Sequence, residues 1–134
     1  MTGQNIITPT ALVQTQNGKY FIVNSGEVGV DDNLTTLINI PNIGERDIKI
    51  NFNCGSKDTG GDDISINVLS NSITIFEDWI GQRPANNPDA INGPYHFKLL
   101  LMANTSLLIT LYNHSSTTLR DWFITGDGEF LSIE

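Results

Sequence analysis

Apolar residues recur at every second position in segment after segment of this chain, and that rhythm constrains the fold more than any motif does. Ile48, Ile50 and Phe52 alternate with Lys49, Asn51 and Asn53, and Ile64, Ile66 and Val68 alternate with Ser65 and Asn67. The same pattern returns at Ile73 and Ile75, at Phe97, Leu99 and Leu101, and at Leu107, Ile109 and Leu111. A period of two sends successive side chains to opposite faces of a strand, so each segment buries one face and wets the other. Lys19 to Asn24 and Thr35 to Ile40 read as further strands, the first after an Asn17-Gly18 turn and the second after the loop Gly26 to Asn33.

Turn residues divide the strands. Ser70-Asn71-Ser72 joins one pair into a hairpin, Asn104-Thr105-Ser106 joins another, and Gly126-Asp127-Gly128 reads as a tight turn between Trp122–Ile124 and a last strand, Phe130 to Ile133. β-branched residues dominate, and Gly or Asn interrupts any helical stripe, with a short helical turn expected only around Phe76 to Gly81. About eight or nine short strands joined by such turns predict an all-β antiparallel sandwich or jelly roll, with a barrel as the next reading.

A chain of 134 residues fits one domain with a core of its own. Residues 1–15 lack turn signals and carry Pro9, so they read as an extended arm that orders against a neighbour, ahead of a single β-sandwich domain over 16–134. Ile6, Ile7, Pro9 and Leu12 are the arm residues expected to touch that partner. The loop Gln82 to Pro94 has three prolines and no periodicity, which marks it for presentation by a rigid scaffold.

Fifteen acids against seven Lys plus Arg give a formal charge of −8, which opposes phosphate backbones and anionic lipid, so no nucleic-acid or membrane partner is expected. Cys54 has no second cysteine to pair with and reads as a small strand-end residue. The N-terminus lacks a basic stretch followed by an apolar core, so no signal peptide is expected.

The tripeptide Asp58-Thr59-Gly60 occurs in aspartic proteases, but Ser56-Lys57 before it and Gly61-Asp62-Asp63 after it are not the apolar strands that bury a catalytic dyad. Asp58, Asp62 and Asp63 are calcium candidates, although their spacing departs from the D-x-[DN]-x-[DN]-G loop; a hairpin tip is the simpler reading. His96 and His114 stand apart from other ligand types, and the glycines of "NSGEVGV" lack the lysine and helix of a phosphate loop. No catalytic constellation and no cofactor are therefore expected. Among the aromatics Tyr20, Trp79, Tyr95, Tyr112 and Trp122, the pair Trp79 and Tyr95 flanks the long loop with Arg83 nearby, an arrangement suited to stacking on a sugar or anchoring a protein.

The arm "MTGQNIITPTALVQT", the strand pairs "DISINVLSNSITIF" and "FKLLLMANTSLLITLYN", and the terminal segment "WFITGDGEFLSIE" together resemble the small β-sandwich accessory proteins of bacteriophage virions, especially those that decorate or cement capsids. The resemblance implies a non-enzymatic viral structural protein, made in the host cytoplasm and located on the virion. It further implies that the protein binds capsid or another virion protein, often as a homotrimer, and stabilises the shell. The alternative is a carbohydrate-binding module or receptor-binding fibre tip that takes a glycan through Trp79, Arg83 and Tyr95.

Overall fold

The computed structural model describes residues 12–16, 19–56, 64–79, 95–114 and 120–131, with only the backbone path along 12–16 and at 79 and 120. Ten strands are described: β1 Leu12–Gln16, β2 Tyr20–Asn24, β3 Val28–Val30, β4 Thr35–Ile40, β5 Ile48–Ser56, β6 Ile64–Ser70, β7 Ile73–Trp79, β8 Tyr95–Leu101, β9 Leu107–Asn113 and β10 Arg120–Phe130. They form two antiparallel sheets, β1-β2-β10-β5-β8 with β3 also on β10, and β4-β9-β6-β7.

The pairing is nested: β2 pairs with β10, β4 with β9, β5 with β8, and β6 with β7. A chain folded back on itself like one long hairpin gives that sequence of partners, and rolling the hairpin so that β10 also meets β5 and β9 also meets β6 yields a jelly roll. The predicted all-β sandwich is the fold, with β1 and β3 added to the eight rolled strands.

The alternation does the work expected of it. Ile48, Ile50, Phe52 and Cys54 of β5, Ile64, Ile66 and Val68 of β6, Leu107, Ile109 and Leu111 of β9, and Trp122 and Ile124 of β10 fill the space between the sheets. Burying side chains of this size contributes roughly 1.5–3 kcal/mol each before chain entropy is set against it.

Four local expectations are corrected. Gly126-Asp127-Gly128 is not a turn: β10 runs straight through it to Phe130, with Gly126 opposite Phe52 and Gly128 opposite Ile50. The glycines are there for room. A Cβ on Gly126 would lie 2.7 Å from the Phe52 ring, and one on Gly128 would collide with the Phe21 ring and stand 2.8 Å from the Lys49 carbonyl. The Asn104 turn does not close a hairpin, because β8 lies in one sheet and β9 in the other. Asn104 adopts φ 64°, and the crossing is pinned by backbone bonds from Asn104 N to Gly44 O and from Ile43 N to Thr105 O, and by Asn71, which exchanges bonds with Ser106.

Likewise β5 and β6, the strands on either side of Asp58, Asp62 and Asp63, do not pair as a hairpin but belong to different sheets, the acids themselves lying outside the described residues. Finally, Phe76 to Trp79 is strand, held by the β6 ladder, where a helical turn was expected. The loop Gly26 to Asn33 contains β3, which shares an edge of β10 with β2 while Ser25 bonds Ile124 in both directions between them. Ser70-Asn71-Ser72 does form the β6–β7 turn, with Asn71 and Ser72 at φ 52° and 66°.

Gly128→Ala should cost about 1–3 kcal/mol by overpacking, more than Gly126→Ala, whose added methyl meets only side chains that can shift. Urea unfolding of the two variants measures the difference; equal, negligible losses would mean the strand is not packed this way.

Candidate interaction surfaces

Among the described residues no group of three or more His, Cys, Asp or Glu is placed to hold a metal ion. Asp58, Asp62 and Asp63 lie outside the described residues, as do Arg83 and the rest of the long loop. Ile6, Ile7 and Pro9 of the arm also lie outside them, whereas Leu12 begins β1 and pairs with Asn24 of the chain's own β2. The arm's last residues are thus a strand of the first sheet.

Cys54 is fully buried, and burial pushes its thiol from 9.0 up to about 12, so it sits in the core as an inert small apolar group. Trp122 is fully buried as well and offers no ring to a ligand. His96 points to solvent from β8; His114 packs edge-on against Tyr112 with Nε2 2.8 Å from the Ser65 hydroxyl.

Tyr95 has a different task from the one its loop position suggested. Its ring packs beside Phe76 and Phe97, and Phe97 in turn stacks on Phe52 at 5.1 Å between centroids. Its hydroxyl donates to Asp78 Oδ2 at 2.6 Å. Since β8 and β7 are the last strands of opposite sheets, this ring stack and clasp close one side of the sandwich. Loss of solvent around the phenol, then the hydrogen bond to Asp78 and that carboxylate's charge, hold the Tyr95 pKa well above 10.0.

Two surfaces escaped the sequence reading, because each becomes visible only once strands distant in sequence lie side by side. One is β7, "ITIFEDW", which ends its sheet among the described residues and has neither Lys nor Pro. Its register slips at Ile75, and Ile73 and Ile75 are 66% and 46% exposed. The other is the outer face of the first sheet, where Tyr20, Ile22 and Leu100 stand exposed among charged and amide side chains.

No protein-family model matches the chain, and no curated protein matches it. Solved structures with a partial likeness include the insecticidal delta-endotoxin Cry8Ea1 of Bacillus thuringiensis, at 12% identity and TM-score 0.42 over 81% of this chain and 20% of that one. A pilus of Bacillus endospore appendages matches at 12% identity and TM-score 0.46, over 90% of this chain and 98% of that one. The K3 cleaved adhesin domain of Lys-gingipain from Porphyromonas gingivalis matches at 12% and 0.45, over 84% and 74%. The chain spans only a fifth of the toxin's length, and none of these likenesses bears on what it does.

Tyr95→Phe should lower stability by about 0.5–1 kcal/mol at about pH 8 through loss of the Asp78 bond. A phenol with a raised folded-state pKa stabilises fully below its unfolded value of 10.0 and loses that contribution as pH climbs beyond it. The gap between wild type and variant in urea midpoint should therefore narrow by about pH 11; a gap that widens would contradict the clasp.

Proposed function

We propose that this chain is a non-enzymatic structural protein of a virion, one that docks on the shell by lending a strand to a neighbour. The observation that carries the reading is the β7 edge. An edge strand presents unpaired backbone donors and acceptors, and natural proteins blunt such edges with Lys, Pro or a covering loop. β7 carries two exposed isoleucines and has neither Lys nor Pro, and among the described residues no strand pairs with its outer side. Strand addition uses this kind of edge: backbone hydrogen bonds supply affinity, and alternate side chains supply specificity.

The donor in this proposal is the segment ahead of β1, "MTGQNIITPTA", whose Ile6 and Ile7 supply the apolar contacts. Jelly rolls serve in capsids and in lectins, so the fold alone does not separate the two. Tyr95, the described member of the proposed glycan site, has its ring committed to Phe76 and Phe97, and no observation favours the glycan reading over docking.

The test is co-sedimentation with virus particles grown from the same genome. Removing residues 1–11, which spares β1, should abolish binding and leave the melting temperature within a few degrees; Ile75→Lys should remove acceptance of the arm. Shell binding that survives the truncation would sink the reading.

A further inference from the structure

The outer face of the first sheet can be laid out row by row from the strand register. One row, crossing β2, β10, β5 and β8 in order, reads Tyr20, Glu129, Lys49, Leu100. The next reads Ile22, Asp127, Asn51, Lys98, and the third Asn24, Thr125, Asn53, His96. Their inward neighbours Phe21, Val23, Ile50, Phe52 and Ile124 are buried, so these twelve side chains face outward.

Three features set this face apart. Tyr20, Ile22 and Leu100 are 46%, 44% and 63% exposed and sit at its two flanks. The face carries two acids, Glu129 and Asp127 on β10, and two lysines, Lys49 on β5 and Lys98 on β8, so it is electrically balanced on a chain whose net charge of −8 otherwise drives copies apart. And the rows are self-complementary in one orientation. A two-fold axis lying along the strands, between β10 and β5, exchanges β2 with β8 and β10 with β5. It then sets Tyr20 against Leu100 of the other copy, Glu129 against Lys49, Asp127 against Asn51, Thr125 against Asn53 and Asn24 against His96, with Ile22 against Lys98, whose ammonium reaches the neighbouring Asp127. A two-fold axis across the strands through the middle row instead sets Asp127 on Asp127 and Lys98 on Lys98, and like charges held opposite each other repel.

We propose that the outer face of β2, β10, β5 and β8 is a homodimer interface, packed face to face on a second copy about a two-fold axis parallel to its strands. The contact is isologous: each pair occurs twice, and the surface closes on itself without exposing a further copy's site. The four strands that this axis superposes, β2, β10, β5 and β8, about 4.8 Å apart and rising about 3.3 Å per residue, give a face of roughly 500 Å² per copy, or about 1,000 Å² in the pair. That is below the roughly 1,200–2,000 Å² of stable specific interfaces and is the size of a weak, reversible contact. Face-to-face packing holds sheets about 10 Å apart, within reach of Lys and Glu side chains. Two is the copy number this surface supports, in place of the trimer that the virion resemblance implied.

Sedimentation velocity on the full chain over a concentration series tests the proposal. Wild type should form a dimer that weakens with added salt. Leu100→Lys and Glu129→Lys should each raise the dissociation constant about tenfold or more, with unchanged circular dichroism, because both sites are on the exposed side of the sheet. Glu129→Lys combined with Lys49→Glu restores opposite charges at both symmetry-related contacts and should recover most of the affinity. Ile75→Lys on β7 should leave the dimer intact, which separates this contact from the docking edge. A chain monomeric up to about 0.5 mM, a trimer, or a dimer indifferent to Leu100→Lys and Glu129→Lys would each overturn it.

Discussion

The ladder between β10 and its neighbours holds this molecule together. β10 pairs along most of its length with β5 on one side and with β3 and then β2 on the other, so the longest strand runs through the middle of the larger sheet. That sheet remains continuous only if β10 stays extended past Asp127, and two glycines make this possible by leaving space for the Phe52 and Phe21 rings. The same continuity fixes which residues share the sheet's outer face, since Thr125, Asp127 and Glu129 alternate with those glycines. Core packing on one side of β10 thus determines the recognition chemistry on the other.

The strands were legible in the sequence because alternation is a local property: each of β4, β5, β6, β8 and β9 can be read from its own residues. Their partners were not legible, because pairing is decided between segments far apart. Gly-Asp-Gly has the composition of a turn, and only the aromatic rings lying over it reveal that its lack of side chains serves close packing. "MANTS" looks like a hairpin loop, and only the presence of β8 and β9 in different sheets shows it to be a crossing. The surfaces followed the same rule: the row Tyr20, Glu129, Lys49, Leu100 draws on four distant stretches, so no motif could announce it. Tyr95 was noticed for its place beside a loop, while its function as a strut depends on Phe76 and Asp78 of another sheet.

The two proposed surfaces divide the labour of an assembling protein. An edge recognises backbone, tolerates many sequences and suits attachment to a repeating shell; a patterned face recognises side chains and admits one partner in one orientation. They lie on different sheets, so occupying one need not obstruct the other. The interior offers little to any chemistry: its one thiol is kept protonated by burial.

Nested pairing also has a bearing on how the chain is made. Ser25 and Ile124, which bond each other, are 99 positions apart, whereas the β6–β7 hairpin closes through two residues. Contacts of such separation are slow to form, since loop closure must precede any reward from pairing. During synthesis the inner hairpins are able to assemble while the outer partner of β2 is still untranslated. Until β10 emerges, β2 and β5 each hold an unsatisfied edge, and the larger sheet is completed only when β10 arrives. A finished outer face on the larger sheet therefore exists only once β10 has joined both neighbours, and shorter nascent chains present none.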